Sequence, residues 1–294
     1  MTDNVTLVTG ASGFLGKAVM ELLTDQKQRA IGLDPRPSAT TQVVNDLSDR
    51  SKVTKLLSGE KITHVIHAGG VSGPMVLADE PAKVITINVL GSLNLLCAAM
   101  DAGVKTFIYC SSSAALGSFY ENEPVDETYP LRPNNTYSAS KAAVEMVLRG
   151  LWGKIPLDLC ALRFTVIYGP GRETTFTVEE IVGAALAGRP ARIAPMADWP
   201  YVYIDDAARA TVQACYAKGR RQLSYFIAHP ERVTPDDIAA AAAAAGKPVR
   251  IDIDAGRPKA ERGPLDVEPA ARDFGFRAQV GHREGVRRLI EAAR

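Results

Sequence analysis

Two side chains with complementary proton chemistry stand four residues apart in the segment Tyr137-Ser-Ala-Ser-Lys141. On a helix, residues four apart share one face, so this spacing brings a phenol and an ammonium together. A phenol beside a positive charge is a candidate base for removing an alcohol proton during hydride transfer. The same spacing occurs on many solvated helices, so the pair gains meaning only if other residues form a cofactor site.

A glycine-rich loop near the start of the chain could form such a site. The apolar run Val5–Thr9 leads into Gly10-Ala-Ser-Gly13-Phe-Leu-Gly16, and an apolar helical pattern follows. Glycines at a strand-to-helix turn let the backbone approach a pyrophosphate, and the helix N-terminus supplies amide donors. A P-loop is the rival interpretation, but Lys17 is followed by Ala18 instead of serine or threonine. The loop therefore predicts a dinucleotide site.

The second predicted strand ends in Asp34, about 20 residues after the loop, where dinucleotide-binding folds place an acidic residue. A carboxylate at this position accepts hydrogen bonds from the adenosine ribose and repels a 2′-phosphate. The sequence therefore favours NAD over NADP, although Arg36 lies close enough to leave NADP open.

The elements that must position these residues follow a regular pattern as far as Pro170. Short apolar runs alternate with longer helical patterns, which is typical of βαβ units around a parallel sheet covered by helices on both faces. The fold class is therefore α/β, with a doubly wound, Rossmann-like parallel sheet. The predicted strands are Val5–Thr9, Ala30–Asp34, His64–His67, Thr106–Ser111 and Leu157–Arg163. The predicted helices are Gly13–Leu23, Ser51–Leu57, Pro81–Ala102 and Thr136–Leu151.

The chain divides into two predicted parts. Residues 1–170 form an NAD-binding domain, and residues 171–294 form a smaller C-terminal substrate lobe, whose first part is rich in proline, glycine and arginine. The segment Leu223–Ala228 is apolar enough to return from this lobe to the sheet. The run Ala239–Ala245, followed by Gly246, predicts a helix that ends at a glycine.

Composition excludes several classes of partner. The 34 basic and 33 acidic side chains nearly cancel, so neither nucleic acid nor an anionic membrane is indicated. The N-terminus, Met1–Asn4, begins no signal-peptide pattern, and no uninterrupted apolar run reaches the roughly 18 residues of a membrane helix. The 4 cysteines form no CxxC pair, which fits a reducing compartment. We therefore expect a cytoplasmic protein with a small-molecule substrate.

No metal site is expected. His64 and His67 are three residues apart on a predicted strand, so their side chains point to opposite faces of the sheet. His229 and His282 have no cluster of carboxylates or cysteines nearby in the sequence. Structural or surface roles are therefore predicted for all four.

Further motifs follow along the chain, and with the glycine loop and the Tyr137–Lys141 pair they resemble the extended short-chain dehydrogenase/reductase family, also described as the NAD-dependent epimerase/dehydratase family. The loop spacing Gly10-x-x-Gly13-x-x-Gly16 is that of the family, and the resemblance covers essentially the whole chain. The other matching segments are Asn45-Asp46-Leu47, Val65-Ile-His-Ala-Gly-Gly70, Asn88-Val-Leu-Gly-Ser92, Ile108–Gly117, Arg163–Gly171, Tyr203-Ile-Asp-Asp206 and Asp273-Phe-Gly-Phe276.

The resemblance implies a catalytic trio of Ser112, Tyr137 and Lys141. Tyr137 would be the general acid/base, Lys141 would favour its phenolate and bond the nicotinamide ribose, and Ser112 would orient the substrate oxygen. It also implies a homodimer formed through the predicted helices Pro81–Ala102 and Thr136–Leu151. The implied NAD contacts are Gly10, Ser12, Gly13, Phe14, Leu15, Gly16, Asp34, Asp46, Leu47, Ala68, Gly69, Gly70, Asn88, Ser111, Tyr137, Lys141, Phe164 and Val166. The implied substrate contacts are Ser72, Ser113 and Thr165.

Two departures from the family pattern narrow the reaction. Dehydratases carry Asp-Glu directly after the catalytic serine or threonine, whereas this chain has Ser113-Ala114, so elimination of water lacks its acid and base. Many sugar-nucleotide members carry asparagine where this chain has Val166, and a glycine-rich turn where it has Ala194–Tyr201. These differences favour a smaller polyhydroxy substrate, such as a sugar, sugar acid or hydroxy acid. Candidate anion ligands in the lobe, solvated by default, are Arg172, Arg189 and Arg192.

Three functions remain open. The first is an NAD-dependent oxidoreductase that transfers hydride to or from a secondary alcohol of a small carbohydrate-like or hydroxy-acid substrate. The second is a sugar-nucleotide 4-epimerase, which uses the same residues twice and retains its NAD. The third is a dinucleotide-binding sensor without turnover. Such sensors commonly lose the tyrosine or the lysine, and the presence of both residues weighs against this third function.

Overall fold

The computed structural model describes residues 4–119, 122–259 and 262–293. The predicted absence of a signal peptide concerns an N-terminus that lies mostly outside these residues. Within the described ranges the chain forms three β-sheets. The strands, in chain order, are β1 (Val5–Thr9), β2 (Arg29–Asp34), β3 (Val43–Val44), β4 (His64–His67), β5 (Thr106–Ser112), β6 (Asp158–Phe164), β7 (Val166–Tyr168), β8 (Ala191–Ile193), β9 (Trp199–Tyr203), β10 (Ser224–Ile227), β11 (Arg232–Val233) and β12 (Ile251–Ile253).

The helices cover the sheets and connect the strands. Between α3 and α4 the backbone passes through a π-helical turn, Thr86–Leu90, and a 3₁₀ turn, Ser113–Leu116, follows β5. The α-helices are α1 (Phe14–Asp25), α2 (Arg50–Gly59), α3 (Pro81–Ile85), α4 (Gly91–Asp101), α5 (Thr136–Leu151), α6 (Thr177–Leu186), α7 (Ile204–Tyr216), α8 (Pro235–Ala244), α9 (Glu268–Phe274) and α10 (His282–Ala292).

The main sheet has seven strands in the order β10-β6-β5-β4-β1-β2-β3, and every neighbouring pair is parallel. One face carries a core built with α1 and α7, and the other carries a core built with α2, α4 and α5. The predicted α/β class and doubly wound topology are therefore confirmed. The strand order reverses between β1 and β4, and in such sheets ligands bind at the carboxyl ends of the strands beside this point.

The predicted elements lie close to where the sequence patterns place them. The largest difference that matters for the site is at β5, which continues to Ser112 and so carries the serine at its carboxyl end. The segment predicted to return from the lobe does so as β10, with Ser224 opposite Ala161 of β6. The alanine run forms most of α8, and Gly246 has a left-handed φ of 78° just after the helix.

The lobe, together with β7 just before it, has its own core between two small sheets and three helices. Strands β7, β9 and β11 form one sheet, β8 and β12 form the other, and α6, α8 and α10 pack around them. Strand patterns this short are hard to read from the sequence because two or three residues show no clear alternation. Helix α7, although it follows residue 170, packs against α1 on the main sheet.

One stretch of described residues, Pro81–Asp101, is long and apolar enough to cross a membrane by length and composition alone. The sequence analysis considered only uninterrupted apolar runs and therefore did not predict this stretch. Leu95 and Leu96 of this stretch are buried in the core against the main sheet. Such burial is typical of a helix that covers a parallel sheet.

Candidate active site

A cavity of about 1150 Å³ opens at the carboxyl ends of the central strands. Its wall includes residues that end or follow β1, β2, β4, β5 and β6. Residues of the lobe also line the cavity, with Phe176 and Trp199 among them. The cavity therefore occupies the position where open parallel sheets bind ligands.

The glycine loop fits a pyrophosphate because two of its glycines leave no room for a side chain. Gly10 has a φ of 71°, and a Cβ there would lie 2.6 Å from the backbone of Gly69. A Cβ on Gly16 would lie 2.0 Å from the carbonyl oxygen of Gly10. Backbone atoms can therefore approach one another, and a ligand, more closely than any other residue type would allow.

The N-terminus of α1 presents unsatisfied polar groups at this loop. Gly13 is the N-cap of the helix, so no side chain caps the first amides. The hydroxyl of Ser12 is buried and has no hydrogen-bond partner among the described residues. Gly13, Phe14 and Leu15 line the cavity. Free amide donors at the positive end of a helix are a binding site for phosphate oxygens.

Asp34 lies at the carboxyl end of β2 and is 5% exposed. Its carboxylate accepts hydrogen bonds from the backbone N–H of Ser12 (3.3 Å) and of Arg36 (2.9 Å). The Arg36 guanidinium lies 3.8 Å from Asp34 and 3.6 Å from Glu173, so two carboxylates compete for its charge. This arrangement leaves little positive charge for a 2′-phosphate and fits NAD.

The Asp46–Leu47 segment forms the far end of the cavity. The hydroxyl and the backbone N–H of Ser48 both donate to Asp46, and these hydrogen bonds lower the pKa of the carboxyl. The Asn94 side chain donates to the carbonyl of Leu47 at 2.9 Å, which fixes the segment to α4. This end of the cavity is therefore held in a defined shape.

The three proposed catalytic residues meet at the opposite end. Asn135 caps α5 by accepting from the backbone N–H of Ser138, so the helix starts just before Tyr137. The side chains of Ser112 and Ser72 interact with the Tyr137 phenol and act to lower its pKa, and all three residues line the cavity. The structure thus brings together the tyrosine and the serine that the sequence analysis paired.

The pKa of Tyr137 is raised above its usual value of about 10, mainly because the phenol lies away from water. The hydrogen bonds from Ser112 and Ser72 and the positive charge of Arg172 oppose this shift. The sequence analysis expected Lys141 to favour the phenolate, and in this structure burial outweighs every such effect. It also missed the contribution of Arg172, which lines the cavity.

Lys141 is buried beneath the cavity and donates from Nζ to the carbonyl of Cys110 at 2.8 Å. The Nζ atom also lies 4.9 Å from the centre of the Tyr109 ring. Burial lowers the pKa of Lys141 to about 8, although electrostatic interactions with Cys110 and Glu145 act in the opposite direction. The ammonium is therefore held in place by a backbone acceptor and a ring face.

Three of the residues expected to contact NAD do not line the cavity: Ser12, Gly16 and Asn88. Asn88 lies in the π-helical turn, where Oδ1 accepts from the N–H of Val71 (2.7 Å) and Nδ2 donates to Ser140 (2.9 Å). It therefore ties the segment after β4 to α5 and positions Tyr137 indirectly. Ser12 and Gly16 shape the loop without lining the cavity.

The other implied contacts all line the cavity. The Ser111 hydroxyl, however, donates to Glu145, which is buried and paired with Arg163 at 2.8 Å, so that side chain is occupied within the protein. The remaining cavity-lining residues from the sequence analysis are Gly10, Gly13, Phe14, Leu15, Asp34, Asp46, Leu47, Ala68, Gly69, Gly70, Ser72, Ser112, Ser113, Tyr137, Lys141, Phe164, Thr165 and Val166.

The sequence analysis missed the wall contributed by the lobe and part of the wall after β4. Phe176, Trp199 and Arg262 of the lobe line the cavity, and so does Met75 from the segment after β4. They come from irregular segments or short strands, and no local pattern marks them. Of the three lobe arginines considered from the sequence, Arg172 alone is among the residues that line it.

The described residues contain no group of three or more histidine, cysteine or acidic side chains that could hold a metal ion. His64 packs against Tyr216, with the two ring centres 5.1 Å apart. His67 lies between Thr9 (2.6 Å) and Ser92 (2.7 Å), and burial lowers its pKa to about 3. His67 is therefore neutral and structural at physiological pH.

Comparisons with known proteins agree with this geometry. A family model described as NAD dependent epimerase/dehydratase family matches residues 6–228. UDP-glucose 4-epimerase of Mycolicibacterium smegmatis is 28% identical, over 97% of this chain and 97% of its own. The 3beta-hydroxysteroid-dehydrogenase/decarboxylase isoform 2 of Arabidopsis thaliana is 29% identical, over 72% of this chain and 41% of its own. The crystal structure of Thermus thermophilus UDP-glucose 4-epimerase with NAD is 28% identical, covers 98% of both chains and gives a TM-score of 0.86.

Proposed function

The chain belongs to the NAD-dependent epimerase/dehydratase family, and from this premise we propose that it transfers hydride to or from a secondary alcohol of a small carbohydrate-like or hydroxy-acid substrate. The observation that carries the proposal is the phenol of Tyr137, which lies with Ser112 and Ser72 in a cavity that the glycine loop also lines. Proton and hydride chemistry can therefore take place in one enclosed space.

The residues of the cavity fit NAD along its length. The loop Gly10–Leu15 would hold the pyrophosphate, Asp34 the adenosine ribose, and Asp46–Leu47 the adenine. Lys141 and Tyr137 would stand beside the nicotinamide ribose at the other end. When bound, NAD supplies the two-electron acceptor or donor for the substrate carbon.

The side chains of the protein handle the proton. In alcohol oxidation the Tyr137 Oη takes the hydroxyl proton, and in carbonyl reduction it returns that proton. Ser112 shares a hydrogen bond with the same substrate oxygen and so fixes its distance from Oη. Lys141 keeps a positive charge near this oxygen, which favours the phenolate form of Tyr137 as the proton is transferred.

The cavity is poorly equipped for elimination of water. Ala114 follows Ser113, where a dehydratase carries its acid and base. The carboxylates among the described lining residues are Asp34, Asp46 and Glu173, and they lie with Arg36 or Ser48 at the end proposed for the adenosine. We therefore propose hydride transfer without dehydration.

A 4-epimerase is the second candidate, and a specific observation favours it. The relatives that match over nearly the full chain at 28% identity include UDP-glucose 4-epimerases. An epimerase would use Tyr137 and Ser112 in the same way, but the reduced cofactor would stay bound and be reoxidised in the same active site. The two functions therefore differ in whether NADH accumulates.

A fluorescence screen separates these candidates. Purified protein is mixed with NAD or NADP and a panel of sugars, sugar acids, hydroxy acids and nucleotide sugars. We expect NADH to accumulate with a sugar acid or hydroxy acid, and NADP to give little product because Asp34 and Glu173 occupy Arg36. Failure of every alcohol to yield NADH, together with epimerisation of a nucleotide sugar, would replace the first candidate by the second.

We further propose that the protein forms the homodimer and has the substrate lobe that the sequence analysis predicted. Residues 171–294 would serve the substrate, apart from β10 and α7, which join the main sheet. Helices α3 and α5 pack together and, with α4, leave apolar side chains exposed outside the cavity. These side chains are Ile85, Met100, Met146 and Val147.

The variant Met146→Glu tests the dimer. A carboxylate at the centre of a desolvated helix face has no partner there, so association should weaken by at least tenfold. Sedimentation velocity of the wild type should give a dimer and that of the variant a monomer. The control is Ile253→Glu, which changes an equally exposed apolar residue on β12 and should leave the dimer intact. A monomeric wild type would refute the proposal.

A further inference from the structure

Arg262 lies in the cavity wall, although it belongs to the lobe and comes nine residues after the end of β12. It is 9% exposed and donates from Nη1 to the carbonyl oxygen of Ser113 at 2.6 Å. Ser113 is the neighbour of Ser112, the proposed substrate-orienting residue. The guanidinium is therefore fixed one residue away from the proposed chemistry.

The position of Arg262 is built by several contacts. Its Cζ lies 5.3 Å from the centre of the Trp199 ring and 5.6 Å from that of Phe119. Its backbone carbonyl accepts from Arg232 Nη2 at 2.5 Å, and Arg232 is paired with Asp198. Packing against two rings restrains the guanidinium, so little ordering is left to occur when a ligand binds.

The charge of Arg262 has no counter-ion among the described residues. Burial lowers its pKa to about 10, so it is still positive at neutral pH, and its Nε has no hydrogen-bond partner in the same part of the chain. The buried Arg163, in contrast, is paired with Glu145 at 2.8 Å. A buried cation without a partner is costly unless a ligand supplies the anion.

The other cations in the described cavity wall are already occupied. Arg36 lies between Asp34 and Glu173, and Lys141 donates to a backbone carbonyl. Arg172 is 3.8 Å from Glu179 and also donates to backbone oxygens. One uncompensated positive charge matches one negative charge, as on a carboxylate, better than the two or more charges of a nucleotide diphosphate.

We propose that Arg262 binds the carboxylate of the substrate, so that the enzyme acts on a hydroxy acid or sugar acid whose reacting hydroxyl lies close to that carboxylate. The inference rests on the proposed function, since it names the substrate class of the same site. It assigns Arg262 a specificity-determining role that the residues Ser72, Ser113 and Thr165 do not fill, because none of them carries charge.

The test compares an acid with its neutral amide. Wild type, Arg262→Leu and Arg262→Lys are assayed with glycerate, gluconate and glucuronate and with the corresponding amides. For whichever acid is turned over, Arg262→Leu should lower kcat/KM at least a hundredfold, mostly through KM, while the amide changes less than threefold. Arg262→Lys should recover part of the loss with the acid. Arg192→Leu removes an exposed lobe arginine and serves as the control.

Binding provides a readout that does not depend on turnover. Titration calorimetry in the presence of NAD should show that the same acids bind the wild type at least thirtyfold more tightly than Arg262→Leu, with NAD affinity unchanged. If Arg262→Leu weakens the acid and the amide equally, the role is structural and the proposal is wrong. If only UDP-glucose loses affinity in the variant, the anion is a diphosphate and the proposal is also wrong. Acid binding that depends on Arg262 without any NADH would reject the proposed reaction and keep the anion site.

Discussion

Replacing Tyr137 with phenylalanine should lower kcat by about a thousandfold or more and leave the Kd for NAD within threefold of the wild type. The expectation follows from the general range of about 10²–10⁴ for a positioned acid or base. The change removes one oxygen atom, the phenol oxygen that interacts with Ser112 and Ser72. The ring itself remains, so the helix α5 and the cavity should keep their shape.

The rate should depend on pH in opposite directions for alcohol oxidation and for carbonyl reduction. Burial raises the pKa of Tyr137 above that of a free tyrosine, which already titrates well above neutrality, so the phenol is neutral at pH 7. Alcohol oxidation needs the group to accept a proton and should speed up as pH rises, whereas carbonyl reduction should slow down. Both slopes should vanish in Tyr137→Phe. The measurement is kcat against pH in the two directions.

The control for this variant is Tyr216→Phe, which removes a hydroxyl bonded to Thr6 on the main sheet outside the cavity. It should have wild-type activity. Unchanged activity in Tyr137→Phe would have a larger consequence, because it would remove the proposed acid/base and support a dinucleotide-binding protein without this chemistry.

Replacing Lys141 with methionine should abolish most activity without lowering the stability of the protein. The ammonium is buried and its pKa is held at about 8, compared with about 10.5 in an unfolded chain. At pH 7 this difference costs on the order of 3 kcal/mol of folding free energy. Methionine has a similar length and no charge, so it removes this cost and loses only the hydrogen bond to Cys110.

The difference in stability between Lys141→Met and the wild type should depend on pH. Between pH 8 and pH 10.5 the folded wild type binds fewer protons at Lys141 than the unfolded chain does, so this residue makes stability rise with pH. The advantage of Lys141→Met over the wild type should therefore be largest at pH 7 and shrink towards pH 10. Urea unfolding of both proteins at pH 7, 8.5 and 10 measures it. A variant that is less stable at every pH, by a constant amount, would mean that the charge carries no burial cost.

The loss of activity in the same variant should be a hundredfold or more, because the positive charge with which Lys141 favours the phenolate is gone. Such a residue, costly for folding and needed for turnover, is an example of the exchange of stability for function at active sites. The control is Lys154→Met, since Lys154 bonds only a backbone carbonyl at the surface and should change neither property.

Local spacing explains how much of the site could be predicted. The strand, loop and helix around Gly10–Gly16 are neighbours in sequence, and the geometry of a tight turn requires small residues there. Tyr137 and Lys141 share a helix, so their proximity also followed from spacing. The return of Leu223–Ala228 to the sheet was readable because a buried parallel strand is apolar throughout.

Long-range packing explains what could not be predicted. The ammonium of Lys141 donates a hydrogen bond to the carbonyl of Cys110, about 30 residues earlier in the sequence, and no spacing rule predicts that contact. The raised pKa of Tyr137 depends on burial by the whole cavity wall. Asn88 was expected to contact the cofactor by resemblance, whereas the structure places its side chain between Val71 and Ser140. Arg262 reaches Ser113 only through the fold of the lobe.

Counting the NADH formed per active site tests the central claim most directly. Purified protein at a known concentration is given excess NAD and each active hydroxy acid or sugar acid, and free NADH is measured by absorbance while nucleotide sugars are analysed for epimerisation. We predict many molecules of NADH per active site with an acid substrate, and no interconversion of UDP-glucose. At most one reduced cofactor per site, held by the protein while UDP-glucose is epimerised, would contradict net hydride transfer.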